Sequence, residues 1–379
     1  MHRRWIIAVV AALLSCGSSG PGKAGRRSDA GPGESADGGT GVDAGSEGGP
    51  DAGPPDAGVP DGGTPGNPDG GVGGPGFSTI RWSELEPRPE GTSEAQGALV
   101  GGKLYTFGGF DPFKPCCTPT RHAFVYEPGS NSWSPLADLP EGVSHAGTAT
   151  DGTDIYLVGG FVEDPSRTYQ IFGTVHVWAY RVASDRYEAM PALPDVRAAG
   201  TLAYLDGKLH FIGGLSAGQA QDTDQHWVLD LAAGATAWTT AAPLPTPRNH
   251  LGSAVLGRKI YVIGGQHDHD ETLVTVPDVE VYDPATDSWE RRASMPRARS
   301  HIAESTFVFQ DRILVLGGEI ANAALVDDAT AYEPATDSWV VLTPMPVRRL
   351  SGVAAPMLGG FVYTTGDWHP ETYLGVPAH

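Results

Sequence analysis

The sequence has little cysteine, and its N-terminal apolar run is short. Its 379 residues include three cysteines, Cys16 and the adjacent pair Cys116 and Cys117, which are too few for a disulfide framework. A bridge between adjacent cysteines would be strained, and the sequence leaves open whether this pair is oxidised. The apolar run Trp5–Leu14 is shorter than the roughly 20 residues that a membrane-spanning helix needs. Any folded part of the chain must therefore be held together by packing.

Positive charge is also scarce. The chain has 25 lysine and arginine residues against 45 aspartate and glutamate residues, a formal net charge of −20. Nucleic-acid binding depends on basic side chains that neutralise phosphates. We therefore expect no nucleic-acid partner.

Glycine, by contrast, is abundant, with 52 residues, and its spacing predicts a fold. Five Gly-Gly pairs close apolar runs at intervals of about 50 residues. These glycine pairs are Gly108-Gly109, Gly159-Gly160, Gly213-Gly214, Gly264-Gly265 and Gly317-Gly318. A degenerate sixth copy, Thr365-Gly366, in which threonine replaces the first glycine, follows them. Such a period is typical of the four-stranded blade of a β-propeller.

Aromatic residues follow the glycine pairs at fixed distances. A tyrosine comes first and a second aromatic residue stands seven positions later, as in Tyr126 and Trp133. The same pattern recurs at Tyr180 and Tyr187, Tyr282 and Trp289, and Tyr332 and Trp339, whereas the third repeat has Leu231 and Trp238. These landmarks resemble the kelch repeat over essentially all of residues 77–379. The resemblance implies an all-β, six-bladed propeller whose aromatic side chains fill the space between blades.

The two ends of the repeat region predict how the ring closes. The last repeat has an apolar run, Gly360–Thr364, but the chain stops at His379 before an outermost strand could form. Upstream, the segment Thr79–Pro87 contains Trp82, one full period before Trp133. We therefore expect the N-terminal strand to complete the last blade and leave no free sheet edge.

Two segments precede the repeats. Residues 1–15 have a basic start and a short apolar run, as in a secretory signal. Their junction with Cys16 resembles the lipobox of bacterial lipoproteins, which implies cleavage before Cys16 and its lipidation; an ordinary secretory signal is the alternative. Residues 16–76 are rich in Gly, Pro, Asp and Ala without an apolar period, which predicts a disordered tether. We expect the protein in the cell envelope, lipid-anchored at the outer membrane or cell surface, or secreted.

The strand order of a blade predicts which loops share a face. The loops after the glycine pairs are long, and they lie at the same end as the turns that enter the innermost strands. Those turns carry arginines and histidines at similar offsets before each pair: Arg197, Arg248, Arg299, Arg349, His145, His250 and His301. We expect them to line the mouth of the central channel as an anion-binding rim. Kelch propellers commonly bind acidic peptides or glycans through equivalent arginines, so the resemblance points the same way. The open alternative is that the arginines cap backbone carbonyls.

No metal site or cofactor is expected. Histidines on different blades should lie too far apart at a channel rim to share an ion, and neighbouring residues of the loop His267–Glu271 rarely converge on one. Copper radical oxidases of this fold need a Cys-Tyr crosslink, for which adjacent cysteines are unsuited. Sialic acid mutarotases of this fold need a carboxylate and an arginine at the channel mouth, and Glu94 and Glu319 are candidates by position.

The sequence therefore predicts a surface-tethered, monomeric binding or scaffold module without catalytic residues. Its loop face is expected to recognise an acidic glycan or a protein partner, and its membrane contact to be through the lipid anchor alone. The alternative is an enzyme that modifies an acidic sugar. A buried carboxylate with a shifted pKa beside the arginines in a deep pocket would favour the enzyme.

Overall fold

The computed structural model describes residues 76–114, 117–163, 171–216, 221–268, 273–322 and 324–378, with only the backbone of residue 171. These residues include 28 β-strands, numbered in chain order, and a 3-10 helix, Ala303–Ser305. The predicted signal 1–15, the lipidation site Cys16 and the tether up to residue 75 lie outside them. Within these ranges, no helix combines the length and the apolar character needed to cross a bilayer.

The strands form six four-stranded antiparallel sheets, which are the blades of a β-propeller. From the axis outwards, blade 1 consists of β2 (Gln96–Val100), β3 (Lys103–Phe107), β4 (Ala123–Glu127) and β5 (Ser132–Pro135). Blade 2 consists of β6 (Gly147–Thr150), β7 (Ile155–Val158), β10 (Val177–Arg181) and β11 (Arg186–Ala189). Blade 3 consists of β12 (Thr201–Leu205), β13 (Lys208–Ile212), β14 (His226–Asp230) and β15 (Thr239–Thr240).

The second half of the ring follows the same order. Blade 4 consists of β16 (Gly252–Leu256), β17 (Lys259–Ile263), β20 (Val279–Asp283) and β21 (Ser288–Arg292). Blade 5 consists of β22 (Thr306–Phe309), β23 (Arg312–Leu316), β24 (Ala329–Glu333) and β25 (Ser338–Val341). Blade 6 consists of β26 (Val353–Met357), β27 (Gly360–Thr364), β28 (Thr372–Ala378) and β1 (Thr79–Leu85). Two short hairpins lie in the loops after glycine pairs, namely β8 (Phe161–Glu163) with β9 (Ile171–Gly173) and β18 (Gln266–His267) with β19 (Val274–Thr275).

The ring closes as the sequence predicts. Strand β1 pairs antiparallel with β28, from Thr79 opposite Ala378 to Leu85 opposite Thr372. Trp82 of β1 packs edge-on against Phe361 of β27, with ring centroids 5.5 Å apart. The innermost strands contact one another in a cycle, with β26 of the last blade against β2 of the first. The six-bladed all-β fold and its closure by the N-terminal strand are therefore confirmed.

Consecutive blades approach each other closely at the glycine pairs. Gly159 and Gly160 have φ of +64° and +103°. The Gly160 N–H donates to the carbonyl of Arg197 in the next blade at 2.8 Å. A Cβ on Gly159 would lie 2.4 Å from the same oxygen, closer than any side chain tolerates. The pair is thus required both for its backbone conformation and for the space it leaves.

The aromatic landmarks join each blade to the one before it. The Tyr180 hydroxyl donates to Asp185 Oδ1 at 2.7 Å, and that carboxylate also accepts the Ala137 N–H of the preceding blade at 2.9 Å. The hydrogen bond from the tyrosine hydroxyl to the residue five positions later recurs in three other blades, from Tyr126 to Asn131, from Tyr282 to Asp287 and from Tyr332 to Asp337. The indole N–H of Trp289 donates to the carbonyl of Ala242, again one blade back, at 2.8 Å. These aromatic residues therefore form inter-blade contacts.

Blade 3, which lacks the tyrosine, contains a buried histidine pair. His210 Nδ1 lies 2.9 Å from His226 Nε2, and His226 Nδ1 lies 3.1 Å from the Ala242 carbonyl oxygen. The His226 ring packs edge-on against Tyr282 of blade 4, with centroids 4.5 Å apart. Burial lowers the pKa of His210 to about 3 and that of His226 to about 4. Both imidazoles are therefore neutral in the folded protein above about pH 5.

This pair predicts a loss of stability in mild acid. Because the unfolded histidines take up protons near pH 6.5 and the folded ones do not, their stabilising contribution is present above that pH and falls as the pH drops. Each histidine lowers the free energy of unfolding by at most about 1.4 kcal/mol per pH unit between pH 6 and 4. Urea unfolding at pH 7, 6 and 5 measures the slope. His226→Gln should reduce it. Parallel profiles for wild type and His226→Gln would contradict the prediction.

Candidate functional site

Six residues, one from each blade, form a collar around the propeller axis. Each lies in the turn that enters an innermost strand, and each is a non-glycine residue with φ between +49° and +57°. The members of this axial collar are Glu94, His145, Ala199, His250, His301 and Ser351. Because non-glycine residues seldom adopt this conformation, its recurrence in all six blades indicates one shared constraint.

Backbone hydrogen bonds from blade to blade supply that constraint. The Ala199 N–H donates to the His145 carbonyl at 2.9 Å, and the His250 N–H donates to the Ala199 carbonyl at 2.8 Å. The series continues with His301 N–H to the His250 carbonyl at 3.0 Å and Ser351 N–H to the His301 carbonyl at 2.9 Å. The left-handed turn brings these backbones together at the axis, and their side chains converge there.

The convergence brings three imidazoles and two carboxylates into contact. The ring centroids of His145 and His250 are 5.0 Å apart, and those of His250 and His301 are 4.1 Å apart. Glu94 lies between two of the rings, with Oε2 at 3.4 Å from His145 Nε2 and Oε1 at 3.8 Å from His301 Nε2. Glu319 Oε2 is 3.3 Å from His301 Nδ1. The expectation that histidines on different blades lie too far apart to share an ion is therefore wrong for His145 and His250, whose ligand atoms lie within 4.8 Å of each other and of a Glu94 oxygen.

Burial strongly affects the carboxyl groups of the site. Burial, together with the nearby charge of Glu319, raises the pKa of Glu94 to about 8 although the Ser351 hydroxyl donates a hydrogen bond to it. Burial also raises the pKa of Glu304 to about 8. Glu304 borders the collar and accepts the Gly97 N–H at 3.2 Å. The axis therefore holds carboxyl groups that can carry a proton near neutral pH.

The space at the collar is small. The cavity between its side chains has a volume of about 30 Å³, which is room for one ion or about two water molecules. A second cavity of about 190 Å³ is lined by the six innermost strands. Small-molecule pockets usually measure about 300–1,000 Å³. The collar as described can hold an ion or water but not a sugar.

The predicted rim arginines lie inside the blades rather than at the mouth. Arg197, Arg248, Arg299 and Arg349 are at most 2% exposed. Arg248 Nε donates to the carbonyl of Gly264 at 2.7 Å, and Arg299 Nη1 donates to that of Gly317 at 3.0 Å. Each of these two arginines thus binds the first glycine of its own blade's pair. The alternative interpretation, capping of backbone carbonyls, describes these contacts.

The other two arginines are held in related ways. Arg349 Nη1 donates to the carbonyls of Thr365 and Glu371, at 3.4 and 3.1 Å. Arg197 Nη2 donates to Gln225 Oε1 at 3.0 Å, and its guanidinium lies 4.6 Å from the ring centre of Trp227. Anion recognition by the four arginines stays a prediction, and their guanidinium groups would have to leave these partners to fulfil it. We therefore leave them out of the candidate site.

Sequence reasoning missed a fifth buried arginine and the partners of the histidines. Arg88 donates from Nε to Thr106 Oγ1 at 3.0 Å and from Nη1 to the Glu90 carbonyl at 2.6 Å. In blade 1, Thr92 stands at the distance from the glycine pair at which other repeats have their arginine. Arg88 lies four residues earlier, so this spacing does not identify it. The residues before the three histidines, Ser144, Asn249 and Ser300, contact the imidazoles. A recurring Ser/Asn-His dipeptide is the signal that could have identified them.

Two other predicted features fall partly outside the described residues. In the loop His267–Glu271 only His267 and Asp268 are described, and His267 Nδ1 lies 3.3 Å from Asp222 Oδ2. Cys117 is disulfide-bonded, and its neighbour Cys116 is not among the described residues.

Comparison with known proteins identifies the family. The class is a six-bladed β-propeller with an axial collar of charged and imidazole side chains. The family model for the KLHDC2/KLHL20/DRC7 Kelch-repeats domain matches residues 144–366, more than half of the chain, and the Kelch motif model matches residues 92–140. The chain therefore belongs to the kelch-repeat family.

Its relatives are distant and longer. Kelch-like protein terF of Aspergillus terreus is 31% identical over 252 residues, which cover 65% of this chain and 54% of the relative. Beta-scruin of Limulus polyphemus is 26% identical, over 52% of this chain and 22% of the relative. The chain thus spans about half the length of these relatives or less. A solved structure, that of YjhT, matches with a TM-score of 0.60 and 17% identity, over 69% of this chain and 88% of that one, which shows a shared fold.

The buried arginines predict a stability effect. Arg248 Nη1 lies 2.5 Å from Glu280 Oε2, and both side chains are fully buried. Arg248→Met should lower the free energy of unfolding by about 3–5 kcal/mol, because it leaves a buried carboxylate without its cation. Adding Glu280→Met should restore most of the loss. Arg291→Met is the matched control, since the exposed Arg291 lies 3.7 Å from the same carboxylate and should contribute less than about 1 kcal/mol. Equal effects of Arg248→Met and Arg291→Met in urea unfolding would contradict this.

Proposed function

We propose that the propeller is a binding module that docks a protein partner through the loops that follow its glycine pairs, the loop face. One observation carries the proposal. Large apolar side chains are exposed in four of these loops, each on a different blade: Phe113 is 79% exposed, Val274 53%, Phe172 39% and Trp368 38%. Exposure of apolar side chains to water costs free energy, so several of them on one face favour burial against a partner.

The loops that carry them are held by the scaffold. The Phe113 N–H donates to Asp111 Oδ1 at 2.9 Å. Trp368 stacks on Phe110, with centroids 6.1 Å apart and an interplanar angle of 21°. Phe172 and Val274 lie on the short hairpins β8–β9 and β18–β19. A partner would therefore meet preordered apolar side chains, which lowers the entropic cost of docking.

The same loops support a protein partner better than an acidic glycan. Glycan recognition was expected from arginines at the channel mouth, but their guanidinium groups bind carbonyls inside the blades. The chain is strongly acidic, with a net charge of −20, which opposes the approach of polyanions. Exposed aromatic and aliphatic side chains are instead typical of protein interfaces.

The N-terminal segments complete the proposal. Residues 1–15 would direct export, Cys16 would carry the lipid, and residues 16–76 would tether a monomeric propeller to the cell envelope. The support is the sequence pattern: an apolar run that ends at Ser15-Cys16, followed by a segment rich in Gly, Pro, Asp and Ala.

An enzyme that acts on an acidic sugar is the second candidate, and one contact favours it. Glu94 bridges His145 and His301 at the channel mouth, where an acid/base carboxylate would be needed. No arginine lies beside it to hold a sugar carboxylate among the described lining residues, and the cavity of about 30 Å³ does not admit a sugar ring. Anomer interconversion of sialic acid that is abolished by Glu94→Gln would favour this candidate.

Substitutions on the loop face should remove protein binding. The double variant Phe113→Ser/Val274→Ser should bind a specific envelope partner with at least about tenfold lower affinity than wild type, because apolar anchors dominate the energetics of interfaces. The control Val341→Ser/Leu358→Ser removes two exposed apolar side chains outside these loops and should bind as wild type does. Affinity for the partner captured by wild type is measured with purified components by calorimetry. Equal binding by all three proteins, or binding of acidic glycans alone on an array, would contradict the proposal.

The lipid anchor has its own test. Cys16→Ser should release the full-length protein from the membrane pellet into the soluble fraction after cell fractionation, because the acylated residue is gone. Cys117→Ser is the control that removes a cysteine from the propeller. Membrane association that is unchanged in Cys16→Ser would rule out lipidation at this residue.

A further inference from the structure

The axial collar has the donor atoms of a metal site. Glu94, His145 and His250 each offer one ligand atom, and these atoms all lie within 4.8 Å of one another. His301 borders this group, with Nε2 at 3.8 Å from Glu94 Oε1 and Nδ1 at 3.3 Å from Glu319 Oε2. Ligand atoms in a tetrahedral site with bonds of about 2.1 Å are about 3.4 Å apart. The contact between Glu94 Oε2 and His145 Nε2, at 3.4 Å, already has that spacing.

The outer contacts orient the imidazoles for metal binding. His145 Nδ1 lies 3.0 Å from Ser144 Oγ, and His301 Nδ1 lies 3.0 Å from Ser300 Oγ. His250 Nδ1 is hydrogen-bonded to Asn249 Oδ1. In each of three blades, the side chain just before the histidine thus engages Nδ1 and directs Nε2 to the axis. Metal-binding histidines are held in this way, by a hydrogen bond at the nitrogen that does not bind the metal.

The backbone and the available space fit a single ion. His145 and His250 stand on turns that backbone hydrogen bonds join to neighbouring blades, so these donors are preordered. The cavity between them, about 30 Å³, holds one ion or about two water molecules. Two imidazoles and one carboxylate suit Zn²⁺ and neighbouring first-row ions rather than Mg²⁺ or Ca²⁺, which prefer sites made of oxygen atoms.

We propose that the axial collar binds one divalent transition-metal ion, of which Zn²⁺ is the best fit, through Glu94, His145 and His250. The ion would join side chains from three different blades and so fasten the ring at its axis. The site is separate from the loop-face residues Phe113 and Val274, and it does not depend on the proposed protein partner.

The test is a Zn²⁺ titration of the full-length, untagged protein after treatment with a chelator. Calorimetry and elemental analysis should find about one Zn²⁺ per chain, and Co²⁺ should give the visible absorption of a tetrahedral site. Thermal unfolding should shift upward with Zn²⁺ but not with Mg²⁺, because the ion binds the folded state. His250→Gln should weaken Zn²⁺ binding by more than about 100-fold, whereas the control His122→Gln should not change it.

A second variant keeps the test decisive if His250→Gln does not fold. Asn249→Ala leaves every ligand in place but removes the hydrogen bond to His250 Nδ1, and it should weaken binding by about 10- to 100-fold. Less than a tenth of an equivalent of Zn²⁺ on the wild-type protein would overturn the proposal. So would affinities of folded His250→Gln and Asn249→Ala equal to that of wild type.

Discussion

The contact between a glycine pair and the backbone of the next blade is the constraint on which the structure depends. Gly160 N–H binds the Arg197 carbonyl, and Gly318 N–H binds the Arg349 carbonyl, each at 2.8 Å. This contact sets the spacing of neighbouring blades and fixes the chain two residues before the collar. The arginine side chains add contacts within their own blades: Arg248, for example, donates a hydrogen bond to the carbonyl of Gly264, the first glycine of its own blade's pair. Blade spacing, buried arginines and collar are therefore parts of one repeated unit.

The repeated unit separates two kinds of surface. At the axis, the collar places ionisable side chains around a cavity small enough for an ion, and backbone hydrogen bonds join its members between blades. Around it, the loops after the glycine pairs differ from blade to blade and expose apolar side chains such as Phe113 and Trp368. A rigid scaffold with variable loops is the usual basis of recognition. Phe110 lies between the two surfaces, edge-on to His145 and stacked on Trp368.

The glycine period and the distance from Trp82 to Trp133 were enough to predict the six blades and their closure, because both reflect packing between repeats. The side-chain directions in the entry turns were not predictable in that way. Arg248 and His250 were expected together at the mouth because both belong to the turn that enters an innermost strand. The positive φ of His250 turns the chain, and the two side chains diverge. A left-handed histidine is rare enough that sequence alone gives no reason to expect it.

The collar residues differ from blade to blade, and these differences place ionisable groups at the axis. Ala199 stands between His145 and His250 in ring order, and its small side chain leaves room for those two rings to meet at 5.0 Å. Glu94 stands where other blades place a histidine, and Glu319 adds a second carboxylate beside His301. Packing alone does not explain such groups, because buried charge costs free energy unless a counter-charge compensates it. The cation proposed for this site would supply that compensation.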